Sequence, residues 1–113
     1  MDLSELHMLV EALGEEVVAG LLEIFLGDSM EQLDVIRGHL GTGDLQSLGR
    51  AAHTLKGSSL NMGAAELASA CAALEKAEDV ESARGLFPEV EAQAANVREV
   101  FGAELAKLQA SAA

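Results

Sequence analysis

The residues of this chain able to do chemistry concentrate in the stretch 51–63, "AAHTLKGSSLNMG". His53 is followed by Lys56 three residues on and by Gly57 four residues on. On a helix advancing about 100° per residue, Leu48, Leu55 and Met62 fall on one side, with Ala51, Ala52, Ser58 and Ser59 beside them. His53 lies opposite that apolar stripe. Lys56 and Gly57 sit within about 60° of it, as do Gln46, Gly49, Arg50 and Leu60. The spacing predicts an exposed histidine midway along a helix.

A histidine on a polar face is ordinarily just solvated, but two features here ask for more. Glycine stands one turn before His53 (Gly49) and one turn after it (Gly57), on the outward face where helix packing does not call for it. Each costs roughly 1 kcal/mol relative to alanine, and together they leave bare backbone around the imidazole, as if something large must come close. In addition, no acid occurs between Asp44 and Glu66, and the only charges there are Arg50 and Lys56. Such a window suits an anion carried by, or delivered to, the ring. Neutral imidazole is a competent nucleophile. Lysine three residues on offers a point charge for phosphoryl oxygens, and Gly57 offers clearance.

The elements that must position these groups read as helices. Residues 4–13 place Leu6, Leu9, Val10 and Leu13 on one face, with Ser4 as N-cap and Gly14 as stop. From Glu15 to Leu40 the apolar positions keep helical periodicity, and Gly27 either kinks or divides the stretch. "GTGD" (41–44) reads as a turn with Asp44 capping the next helix, which runs from Leu45 to Met62 and ends at Gly63. Another helix covers 64–79. After a short acidic connection, Phe87 and Pro88 open the last helix, to about Gln109, with Pro88 in its first turn. The pattern predicts an all-α fold: an antiparallel up-down four-helix bundle with a short additional N-terminal helix, one domain over residues 1–113.

Composition agrees and excludes several functions. Only three residues are aromatic (Phe25, Phe87 and Phe101) and proline occurs once, while alanine, leucine and glutamate abound. Nineteen acids against seven bases give a net charge of −12, which argues against sequence-independent binding of nucleic acid and against anionic lipid. Cys71 is alone, which rules out an intrachain disulfide, and its alanine-rich surroundings read as core. His7 and His39 lack metal-ligand spacing to each other or to Cys71, so no metal site is expected. Met8, Met30 and Met62 read as core filler, and "EKAEDVE" (75–81) as a solvated helix end. The apolar run 17–26 is too short to cross a bilayer. The N-terminus does not resemble a secretory signal, so a cytoplasmic location is expected. Met1 at the start suits a free-standing chain, and the lack of a broad exposed apolar stripe suits a monomer.

"AAHTLKGSSLNMGA" resembles the signature of histidine-containing phosphotransfer (HPt) domains: a histidine, lysine three on, glycine four on, small residues following, and a later glycine before the next helix. His53, Lys56, Gly57, Ser58, Ser59 and Gly63 occupy those places, and the similarity extends over most of residues 15–80. The resemblance implies a four-helix bundle acting in a phosphorelay. His53 would accept a phosphoryl group on Nε2 from the aspartyl phosphate of a response-regulator receiver domain and pass it to another receiver. Lys56 would be the charge partner and Gly57 the access residue, with Ser58 and Gly63 structural. The bundle would need no cofactor of its own, the receiver supplying Mg²⁺. It would be a phosphocarrier rather than a self-sufficient enzyme, partnered by receivers and a hybrid sensor histidine kinase. Gln46, Gly49, Arg50 and Leu60 are the docking candidates on geometric grounds. Two other readings stay open: the phosphoacceptor domain of a chemotaxis-type histidine kinase, and a helical docking module without chemistry.

Overall fold

The computed structural model describes residues 1–112. The helices are α1 (Ser4–Leu13), α2 (Glu15–Thr42), α3 (Leu45–Asn61), α4 (Ala65–Glu75) and α5 (Val80–Ala112). Helices α2 to α5 form an antiparallel ring in which each packs on the next and α5 closes against α2, while α1 folds back on α2. The long axis measures 47 Å, close to the span of α5 at about 1.5 Å per residue.

Short, glycine-dependent joints set this arrangement. Gly14 alone separates α1 from α2. Gly43 adopts a left-handed φ of 76° and donates its N–H to the His39 carbonyl at 2.9 Å, closing α2. Asp44 caps α3 as expected, its carboxylate accepting from the Ser47 N–H at 3.1 Å. Gly63 turns the chain from α3 to α4 with φ 78°, and a Cβ there would stand 2.5 Å from Cβ of Glu5, so this glycine also admits α1.

The core is continuous along the ring. Leu48, Leu55 and Met62 of α3 are buried as the stripe requires, alongside Leu22, Ile36, Leu67, Leu74 and Val97. Phe25 and Phe101 meet with ring centroids 5.9 Å apart and planes tilted by 53°, an arrangement suited to the ring quadrupoles. Cys71 is buried, as its spacing suggests, and desolvation pushes its thiol up to about 12.

Several details differ from the sequence expectations. Gly27 does not divide α2, which is continuous from Glu15 to Thr42. Ser4 is the first helical residue rather than the cap, and the carboxylate of Asp2 accepts its N–H at 2.8 Å. Met8 and Met30 are 60% and 49% exposed and only Met62 is core, because the first two point away from the ring. Helix α4 stops at Glu75, four residues early. Helix α5 begins at Val80, which places Pro88 in its ninth position rather than its first turn. Asp79 is the reason: its carboxylate accepts from the Ser82 N–H at 2.7 Å and its carbonyl from the Ala83 N–H. That cap starts a helix whose Ala83, Phe87 and Val90 all reach the core. Pro88 leaves the Arg84 carbonyl without a helical donor. Arg37 of α2 spans this region, its guanidinium 5.7 Å from the Phe87 ring centroid and 2.9 Å from Glu91.

Candidate functional site

Helix α3 turns its apolar stripe inward and so presents His53 to solvent, with 68% of the side chain exposed. Its neighbour across the α3–α4 seam is Glu75, the last residue of α4. Nδ1 of His53 lies 2.8 Å and 3.0 Å from the two Glu75 oxygens. Lys56 reaches the same carboxylate, with Nζ 3.0 Å from Oε1 and 3.4 Å from Oε2. One carboxylate therefore holds an imidazole and an ammonium that lie one helical turn apart. Those hydrogen bonds, that from His53 first and that from Lys56 second, keep the Glu75 carboxyl below the usual carboxylate range.

This geometry fixes the chemistry of the ring. An ionised carboxylate can only accept, so Nδ1 carries the proton and, in the neutral imidazole, Nε2 keeps its lone pair. The free nitrogen is thus the outer one, and the ring's orientation is set from behind.

The window that is acid-free along the sequence is not acid-free in space. Glu75 belongs to the run read as a solvated helix end, yet it turns onto His53. The sequence carried one faint signal, its position one turn after the buried Cys71. Which helix would lie opposite it cannot be read from that spacing.

Gln46, Gly49 and Arg50 line a shallow hollow together with His53, Thr54 and Glu75. Thr54 was not singled out from the sequence; its hydroxyl donates to the Arg50 carbonyl at 3.1 Å. Arg50 itself bonds the Ser47 hydroxyl at 3.0 Å. A Cβ at Gly49 would make only an ordinary contact, 3.9 Å from the Glu75 carbonyl, and one at Gly57 would meet nothing within 4 Å. Leu60 is 59% exposed and lies outside this hollow. It borders the adjoining one, with Lys56, Ala65, Ala68, Ser69 and Ala72. Ser58 is half-buried and donates to the Leu55 carbonyl at 3.1 Å, and Gly63 serves the turn, so neither reaches the ring. Among the described residues no group of three or more His, Cys, Asp or Glu is placed to hold a metal ion. Nor, among the described residues, is any helix long and apolar enough to cross a membrane.

A ring of four antiparallel helices with an exposed, carboxylate-oriented histidine and a lysine one turn away defines a class. The family model of the Hpt domain matches residues 20–110, and the chain belongs to that family. Among solved structures it is similar to histidine-containing phosphotransfer protein B (HptB) from Pseudomonas aeruginosa PAO1. The two share 36% sequence identity and a TM-score of 0.82, with 95% of each chain covered. Comparison with the curated proteins gave no significant match. The chain is a histidine phosphotransfer protein of the phosphorelay type, a class that works with receiver domains.

Proposed function

We propose that His53 is the residue that carries the phosphoryl group, taking it on Nε2 from the aspartyl phosphate of one receiver domain and yielding it to the aspartate of another. The observation that carries this is the Nδ1 contact with Glu75, which leaves Nε2 as the outward nucleophile. Lys56 turns from Glu75 toward the phosphoryl oxygens as they arrive, neutralising charge without covalent chemistry. Gly57 keeps the approach to Nε2 clear. Gln46, Gly49 and Arg50 receive the rim of the partner's active site, and Leu60 gives it an apolar contact. Ser58 and Gly63 hold the helix and its turn.

The receiver brings the Mg²⁺, and the bundle contributes a rigid nucleophile, one cation and clearance. A hybrid sensor histidine kinase is the upstream source, the protein acts as a monomer, and both partners meet it in the cytoplasm.

The test is phosphotransfer from a phosphorylated, Mg²⁺-loaded receiver to the parent protein and to His53→Gln. Acid-labile label on the parent and none on the variant is the expected result. Binding of several receivers without any label on the parent would leave a docking module. Label appearing only with a histidine kinase and ATP would make it the phosphoacceptor domain of a kinase.

A further inference from the structure

The contact between Nδ1 of His53 and Glu75 is a hydrogen bond only while Nδ1 carries a proton, because the carboxylate offers lone pairs alone. That condition acquires a second consequence once a phosphoryl group sits on Nε2. A ring substituted there has two forms, a cation with Nδ1–H and a neutral ring with Nδ1 bare. The cation is the better leaving group, since it departs as neutral imidazole. The bare form would have to depart as an imidazolate anion.

We propose that Glu75 holds the Nδ1 proton in place on phosphorylated His53, so that the loaded carrier stays a cationic, ready donor across neutral pH. The proposal rests on the reading of His53 as phosphoacceptor and makes Glu75 a positioning residue. In acceptance, the Nε2 lone pair forms the P–N bond while the P–O bond breaks, its electron pair going to the donor carboxylate. The ring becomes a cation and keeps Nδ1–H. In donation, the P–N electron pair returns to Nε2 as the incoming carboxylate oxygen bonds phosphorus. No proton enters or leaves in either direction.

The surrounding charges fit both states. Before loading, the Glu75 carboxylate contacts both Nδ1 of His53 and the Lys56 ammonium. Loading adds a phosphoryl dianion and one ring cation, a net change of one negative charge, which Arg50 in the same hollow offsets. With Lys56 drawn to the phosphoryl oxygens, the carboxylate is left wholly to Nδ1. The charged groups facing the ring are thus Glu75 from α4 and Arg50 and Lys56 from α3. No titratable side chain of α2 lines the hollow, and the Cys71 thiol under α4 stays neutral.

The test loads histidine-labelled protein with phosphoramidate, a chemical phosphoryl donor that needs no cognate partner. Nitrogen NMR then follows Nδ1 from about pH 6 to about pH 8, the span over which an ordinary imidazole loses its proton. Transfer rates to a receiver are measured across the same range, for the parent and for Glu75→Gln. The parent is expected to keep Nδ1–H throughout, with a flat rate. Glutamine can accept from N–H or donate to a bare nitrogen, so the variant ring is free to titrate and its transfer rate falls by up to about tenfold per pH unit above that titration. Loss of Nδ1–H in the parent within the range overturns the proposal. So does a Glu75→Gln protein that is slower but keeps the flat profile, since Glu75 would then only pack against the ring. Label mapping to a residue other than His53 overturns the phosphoacceptor reading itself, and this proposal with it.

Discussion

Gly57 is surrounded by open space within its own chain, so nothing in the fold requires it to be glycine. Gly57→Ala should therefore stabilise the protein by about 1 kcal/mol in chemical denaturation while slowing transfer from a receiver. Equal transfer by that variant would show that access is not its purpose. Glu75 supplies a pH signature. Its carboxyl is held below the ordinary value of 4.5 in the folded state, by His53 foremost and then Lys56. A depressed carboxylate stabilises the fold fully above its unfolded value, and that contribution is lost as pH falls through the folded one. The difference in Tm between the parent and Glu75→Gln should accordingly be present at neutral pH and shrink as pH drops below 4.5. His53, Lys56 and Gly57 were legible in the sequence because one helix carries all three and its period alone sorts faces. Glu75 was not, because the register of α4 against α3 is set by packing and by the turn at Gly63.

Helix α5 shows the same division between what is local and what is not. Its apolar positions from Val90 onward were readable from their spacing, but a proline read as a helix opener hid the true start. The Asp79 cap and the burial of Ala83 and Phe87 outweigh one missing hydrogen bond. Pro88→Ala restores a donor for the Arg84 carbonyl, and because Pro88 is itself exposed nothing in the core is lost. Thermal unfolding of that variant is expected at higher temperature, with a gain of up to about 3 kcal/mol. No gain would mean that α5 is bent there in a way the bundle uses. The methionines make the complementary point. Met8 and Met30 read as core filler, but which side of a helix finds a neighbour depends on the ring of helices, which turns both outward.

At the scale of the whole molecule, a net charge of −12 on 113 residues is a standing self-repulsion in the compact state. Added salt screens it over about 10 Å at 0.1 M, so Tm should rise with ionic strength up to that range. A flat response would mean that the acids are spaced widely enough to be indifferent. The bundle class itself was readable from helix count and joint length, since glycine-closed connections of a few residues leave antiparallel neighbours as the available packing.

The two ends of the ring are unequal. His7 of α1 lies 4.0 Å from Glu104 of α5, and Gln109 of α5 bonds Glu23 of α2 at 2.7 Å, so the first and last helices meet at one end of the long axis. Glu75, and with it the imidazole, lies toward the other end, where α4 turns into α5. The N-terminal end of α1 lies elsewhere, since Asp2 and Glu5 border a hollow with Leu60 and Gly63 beside the proposed docking face. A tether attached through the N-terminal residues should therefore crowd that face, whereas one attached through the end of α5, where Gln109 bonds Glu23, should not.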